Sequence, residues 1–388
     1  MDKRILVVVI IVLILCLAGG AAYFFLTRGE SPPVSSRKWG GKSGIKPGEF
    51  NNLQGICVDG EGNLYVADSG NHRIQKISPK GKVLSLWGKR GTQKGEFDFP
   101  ARVAIDNQGN IFVVDHFNNR MQKFSPVGIF LKEIGNWGEE DGKFHQPAGI
   151  AFDSRNNIFV VDSRNHRIQK FSPSGKFINS WGEFGANVGQ FNLPLDVAVD
   201  YRDNVYVADS KNHRIQKFTN KGKFLTQWGH YGSKEGEFKK PVAVEADEQD
   251  NILVIDSGNH RIQKFSPGLE FILEWGKQGV KEGEFNKPMD IFITQKGDIY
   301  IADTGNNRIL KFQKRKEFFS KEKKKQTPFL VPTKPKQGDL LITPEKEKPE
   351  DGMVKGKPVR TKGKSVMIKG KPGMIKGKHI IKIEKETE

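Results

Sequence analysis

The 388-residue chain has only two cysteines, Cys16 and Cys57, so neither a disulfide framework nor a thiolate site can be assembled from it. It has no G-x-S-x-G nucleophile elbow, and its GKS runs at 41–43 and 363–365 lack the first glycine of a phosphate-binding loop. Beyond residues 5–26 the apolar residues come only in short runs, none with a sustained helical period, which argues against a helical bundle. What is present instead is a repeat. DSGNHRIQKI begins at Asp68, DHFNNRMQKF at Asp115, DSRNHRIQKF at Asp162, DSKNHRIQKF at Asp209, DSGNHRIQKF at Asp256 and DTGNNRILKF at Asp303, with 47 positions between successive Asp residues.

A fixed period of this size is the signature of an array or a propeller. Within each unit, strand-length runs such as AGIAFD, NIFVVDS, RIQKF and FINSWG alternate with turn-forming pieces rich in Asn, Asp, Gly and Pro. Four strands per unit make one blade, and six blades in a ring bury both faces of each sheet. The six Trp-Gly pairs, at Trp39, Trp87, Trp137, Trp181, Trp228 and Trp275, are read as the ends of fourth strands. Because Trp39 precedes the first Asp motif and no Trp follows the last, residues 34–39 are expected to supply the outer strand of the sixth blade, closing the ring without a free edge.

Together the Asp-Ser and Asn-His-Arg core, the GNLYVAD strand at 62–68, the closing Trp-Gly and the GEF-x-x-P linker resemble the NHL repeat family, over roughly residues 34–312. The resemblance implies a six-bladed β-propeller that serves as a binding platform for proteins or, in some members, RNA. A related subset is enzymatic, with lyase or lactonase-like chemistry around metal ions in the central channel. Asn119 and Asn307 replace the histidine of the name-giving triplet that the other units keep at His72, His166, His213 and His260.

Residues repeated in every blade are expected to do what every blade needs, so Asp162, Asn165 and Arg167 read as a turn with its Asp and Arg paired. Asp59, Asp106, Asp153, Asp200 and Asp247 read as hairpin residues. Four histidines on turns of different blades are too dispersed for a zinc site, whose ligands stand about 2 Å from one point. No cofactor or metal is therefore assigned. Function is sought where the blades differ. Two positions after the linker proline, blades two to six carry Arg102, Gly149, Asp196, Ala243 and Asp290, giving a channel rim uneven in charge. The linkers diverge too: GEEDGKFHQ, with His145, is acidic, and HYGSKEGEFKK, with Tyr231, is aromatic and basic. Arg102, Asp196, Asp290, His145 and Tyr231 are the binding candidates, and no catalytic residue is named.

The ends are not propeller. Residues 5–26 are uncharged, and at about 1.5 Å per residue are long enough to cross a hydrocarbon core of about 30 Å. The apolar run continues through Tyr23, Phe24 and Phe25, past the small residues that a signal peptidase would need. An uncleaved anchor with a cytoplasmic N-terminus and an exported propeller is expected, the alternative being secretion after cleavage. Residues 313–388 hold 22 Lys and Arg against 10 Asp and Glu, so a net +12 of the chain's +18 lies there, and KGK recurs every seven residues from Lys355. This is read as a disordered basic tail able to contact anionic polymers or lipid headgroups.

The expectation is thus an all-β fold: a six-bladed propeller over 34–320 closed by an N-terminal outer strand. A transmembrane anchor (1–27) and a linker (28–33) precede it, and a Lys/Gly/Pro-rich basic tail (321–388) follows. The expected function is a membrane-anchored, non-catalytic platform for protein partners. A metal-dependent lyase or hydrolase at the channel is the alternative, and an RNA or other polyanion binder comes third.

Overall fold

A computed structural model describes residues 30–313, so the expected anchor and basic tail lie outside the described residues. Among the described residues no helix is long and apolar enough to cross a membrane. The fold there is all-β: 24 strands, β1–β24 in chain order, form six four-stranded antiparallel sheets. Six of them, β2 (Gly55–Val58), β6 (Pro100–Ile105), β10 (Pro147–Phe152), β14 (Pro194–Val199), β18 (Pro241–Ala246) and β22 (Asp290–Ile293), pack side by side and close on themselves around a central channel. Each is the inner edge of one blade.

Blade one shows why these residues make these elements. Its second strand, β3 (Leu64–Asp68), pairs Leu64 with Ile77 and Asp68 with Arg73 across β4 (Arg73–Ile77). Both faces of β3 are buried, because adjacent blades pack on either side, and its residues are accordingly apolar up to the terminal Asp. The outer strand, β5 (Val83–Trp87), is solvated along its middle, with only its ends, Val83 and Trp87, half-buried. Tyr65, Ala67, Ile74, Phe97, Val103, Ile111, Val113 and Phe124 form the apolar wedge between blades one and two, against which Trp87 packs. After Trp87 the chain must turn over the Phe97 ring. Gly88 adopts a φ of +97°, and a Cβ there would stand 2.6 Å from that ring, so the glycine of Trp-Gly is required twice over.

The closing strand is as expected. The strand β1 (Val34–Gly40) pairs antiparallel with β24 (Arg308–Gln313), setting Trp39 opposite Ile309 as Trp87 stands opposite Ile74, so blade six reads β1-β24-β23-β22, with β23 spanning Ile299–Asp303. Trp39 is buried against Tyr300, ring centroids 5.9 Å apart.

Trp137 departs from the expected pattern. The fourth strand of blade two ends at Ile134, which faces Met121 in the position that Trp holds elsewhere, while Trp137 lies three residues on and is 67% exposed. The Trp-Gly dipeptide is preserved in sequence but shifted in register, and Gly135 rather than Gly138 sits over the linker phenylalanine, Phe144.

Candidate functional site

The repeated turn forms a clamp. In blade one, Asp68 Oδ1 accepts the Asn51 N–H at 2.7 Å, and Oδ2 accepts Arg73 Nε at 2.7 Å, Asn71 Nδ2 at 2.9 Å and Gln75 Nε2 at 2.9 Å. The arginine fork then reaches the preceding linker, donating to the carbonyls of Ile45, Lys46 and Glu49. Arg214 does the same with Asp209 and the carbonyls of Ala186, Asn187 and Gln190. These bonds place the turns and linkers on one end of the ring. Burial pushes the carboxyls of Asp115, Asp162, Asp209, Asp256 and Asp303 above the usual range despite their arginine partners. Asp59 and its equivalents act at the other end as expected: Asp59 Oδ1 accepts the N–H groups of Glu61 and Asn63.

The histidines tie neighbouring blades. His72, His166, His213 and His260 adopt left-handed φ values of 54–57°, a conformation in which His and Asn are enriched. The Nδ1 of each accepts a backbone N–H 27 residues on, from Phe99, Leu193, Lys240 and Lys287, at 3.0–3.1 Å. Asn119 and Asn307 share that φ, and their Oδ1 atoms accept from Gln146 at 2.7 Å and Asn52 at 3.0 Å. The last bond crosses the ring closure, so all six are joined. What the position needs is a residue tolerant of positive φ that carries an acceptor, and Asn meets both requirements. Among the described residues no three His, Cys, Asp or Glu side chains gather where they could hold a metal ion.

Three candidates meet on the axis. Arg102 projects from β6 between Asp196 of β14 and Asp290 of β22, its Nε 3.4 Å from a carboxylate oxygen of each. Its terminal nitrogens donate to the carbonyls of Gln54, Val242 and Met289, three blades' worth of backbone, while Nε has no well-directed acceptor. Asp290 accepts the Ile56 N–H at 2.7 Å and Asp196 the Val244 N–H at 3.1 Å, so each also pins the next blade's inner strand. All three are buried, not displayed on an open rim. Gly149 lets them meet: a Cβ there would stand 2.7 Å from Asp196.

One further residue belongs to this cluster and escaped the sequence reading. Glu245, two residues beyond Ala243, faces a channel cavity of about 180 Å³ that Arg102, Asp196, Asp290, Phe152 and Phe292 also line. Part of its surface stays open; because the group lines this cavity, that openness is to the channel and coexists with deep burial. Burial and the nearby Asp196 and Asp290 charges push its carboxyl up to about 8. Burial likewise raises Asp196 and Asp290 against the pull of Arg102, while the two carboxylates raise Arg102 against the cost of burying it. Position 245 was readable: its equivalents are Cys57, Ala104, Ala151, Ala198 and Phe292, and the single acid among them stands out.

His145 and Tyr231 lie apart from the axis, on the linker end. The His145 N–H donates to Asp162 Oδ1 at 2.7 Å, making its backbone part of the clamp. Tyr231 is 64% exposed and meets the His213 ring edge to face, centroids 5.0 Å apart. It has company that the sequence reading did not assemble. At the same repeat position, seven residues before the buried linker phenylalanine, stand Ser43, Arg90, Trp137, Phe184, Tyr231 and Gln278. Trp137, Phe184 and Tyr231 thus form an arc on three successive linkers, each more than 60% exposed. The backbone that carries them is fixed: Gly138 N–H donates to Phe144 O, Asn165 Nδ2 donates to Gly138 O at 2.9 Å, and the same pair of bonds recurs beside Phe184 and Tyr231.

The NHL repeat model matches six segments, residues 50–77, 97–124, 144–171, 191–218, 238–265 and 285–312. No curated protein sequence matches the chain. Among solved structures, a streptogramin B lyase superimposes with a TM-score of 0.51 at 15% identity, covering 71% of this chain and 96% of the lyase. A structural genomics protein of unknown function from Bacteroides thetaiotaomicron superimposes with a TM-score of 0.56 at 16% identity, covering 74% of this chain and 73% of its own. At such identities the likeness is one of fold. Six matched repeats, each coinciding with one blade of a closed ring, place this propeller in the NHL repeat family.

Proposed function

We propose that the propeller is a non-catalytic binding platform for a protein partner, presented on its linker end. The observation that carries this reading is the arc of Trp137, Phe184 and Tyr231. Large exposed rings on a rigid scaffold offer contact area at low entropic cost, and Trp and Tyr dominate binding energy where they become buried. Their positions are set by the same backbone bonds in each blade while the ring types change, which is how a fixed scaffold acquires specificity. The axial cluster, by contrast, is engaged with its own backbone. The test compares capture of partner proteins from the native envelope by the wild-type chain and by a Trp137→Ala/Phe184→Ala/Tyr231→Ala variant. Partners held through this face are lost from the variant, and an unchanged set of captured proteins overturns the reading.

A second reading, a lyase or hydrolase at the channel, draws on the cavity beside Glu245, a carboxyl that retains its proton near neutrality. It requires that Glu245→Gln abolish a measurable turnover while leaving the fold intact. Residues 5–26 as an anchor and the +12 tail as a contact for anionic lipid or polymer complete the proposal. Both are tested together by vesicle flotation. Removing residues 316–388 weakens binding to anionic vesicles at low salt but not at high salt, and removing residues 1–29 frees the chain from its native membrane.

A further inference from the structure

The linker end divides by charge as well as by ring content. Counting Lys and Arg against Asp and Glu, the linkers at 41–52, 88–99, 229–240 and 276–287 are each +1, whereas 135–146 is −2 and 182–193 is −1. The two acidic linkers are those that present Trp137 and Phe184. In the first of them the carboxylates of Glu139, Glu140 and Asp141 follow the indole within four residues, and all three are exposed. Backbone N–H groups, its own first, and Lys143 at 3.2 Å hold the Glu140 carboxyl below the ordinary range. Asp141 lies 3.7 Å from Arg167 Nη1 and accepts from Ser180 Oγ at 3.2 Å, while Arg167 Nε and Nη2 are committed to Asp162 and to the carbonyls of Glu140 and Lys143. The turn cations nearest in sequence order are Arg164, which donates to Gln146 Oε1 at 2.9 Å, and Lys211.

We propose that Trp137 with Glu139, Glu140 and Asp141 forms the recognition site for a Lys or Arg side chain of an extended, basic partner segment, whose apolar residues then lie on Phe184 and Tyr231. This rests on the reading of the linker end as the binding platform and specifies the chemistry of the partner. An exposed indole face attracts a cation through its quadrupole, more strongly than Phe or Tyr does. Carboxylates beside it add Coulomb attraction and steer encounter. The backbone beside the indole is fixed, because Gly138 is tied at both its N–H and its carbonyl, so the ordering left to binding is that of the side chain. A phosphate backbone meets like charge at 139–141 and is disfavoured.

The full chain is titrated with a short synthetic peptide of Lys alternating with Leu, Pro and Gly, followed by the emission of Trp137, whose five fellow tryptophans are buried or half-buried. Glu139→Lys/Glu140→Lys, a change confined to exposed side chains, weakens binding at least about tenfold, and Trp137→Ala does the same as read by calorimetry. Gln278→Ala, at the same repeat position on a basic linker, stays within about twofold, and raising NaCl from about 50 to about 500 mM weakens the wild type. Thermal midpoints confirm that each variant is folded. The proposal is overturned if the wild type binds a Glu-for-Lys peptide or a single-stranded oligonucleotide as well as the basic peptide, or if charge reversal leaves binding unchanged. If that happens while the triple aromatic variant still loses its captured partners, the platform stands and only the partner's chemistry is wrong.

Discussion

The Asp68 clamp and the Arg102 cluster are both buried arginine–carboxylate sites, but the first recurs in all six blades and the second occurs once. The clamp joins a turn to the linker before it. Arg102 touches backbone of blades one, five and six and carboxylates of blades four and six. A repeated device does local work six times over, so losing one copy loosens one blade. A unique device at the axis has no copy to share its load, and neither has the single closing strand.

The largest effect is therefore expected from removing residues 34–40. This strips β24 of its outer partner, exposes a strand edge and removes Trp39 from the wedge between blades six and one. Burial of one Trp contributes up to about 4–6 kcal/mol as an upper bound. Thermal unfolding is expected to show a midpoint many degrees lower; an unchanged midpoint would mean that closure does not depend on the outer strand.

Arg102→Met comes next. It leaves Asp196 and Asp290 buried without their cation, and breaking a buried pair in this way costs about 3–5 kcal/mol. Adding Asp196→Asn and Asp290→Asn should recover most of that loss, because the amides can be buried without charge. Urea unfolding of the single and triple variants measures both steps. Should the triple variant be as unstable as the single one, the cluster is holding backbone rather than balancing charge.

Arg214→Ala tests one copy of the clamp. Asp209 keeps Asn212 and Gln216 as donors, so the expected loss is about 1–3 kcal/mol, the usual range for a buried group losing one partner. A loss as large as that of Arg102→Met would erase the distinction between repeated and unique sites.

The repeated part of this molecule was legible because periodicity states it six times. The 47-residue spacing, the strand lengths and the clasp at Trp39 all follow from phase, and the Asp–Arg pairing follows from the register between second and third strands. Exceptions were harder to see. Trp137 kept its glycine while moving three residues out of the strand, so dipeptide matching put it in the core and only the register shows Ile134 there instead. Arg102, Asp196 and Asp290 were picked from one column of the repeat, but Glu245 sits in the next inward-facing column. Strand alternation sends every second residue of the inner strand to the channel, and reading one column alone missed it. The aromatic arc lies in a third column, seven residues before the linker phenylalanine, where no residue recurs and no motif draws the eye.

The smallest expected effects are also the ones that separate the two sites by sign. At the axis, Glu245 has its carboxyl raised from 4.5 to about 8 by burial and by Asp196 and Asp290. The folded state therefore holds a proton that the unfolded state releases, and this contribution, complete below about 4.5, is lost as pH rises toward 8. Glu245→Gln should remove that loss, raising the thermal midpoint at pH 8 while changing little at pH 4.5. In the ring of turns the direction reverses. Burial, with Arg164 adding repulsion at the first and Lys287 at the last, lowers His166, His213 and His260 from 6.5, and a proton on Nδ1 would displace the backbone N–H it accepts. Their contribution is complete above 6.5 and is lost as pH falls through the lowered folded values. Asn accepts the same N–H at Asn119 and Asn307 without titrating. At pH 7.5, His166→Asn should thus stay within about 0.5 kcal/mol of the wild type. The triple His166→Asn/His213→Asn/His260→Asn variant should match it there and melt at a higher temperature than the wild type at pH 5. Equal acid sensitivity in the two proteins would show that the histidine acceptors do not hold neighbouring blades together.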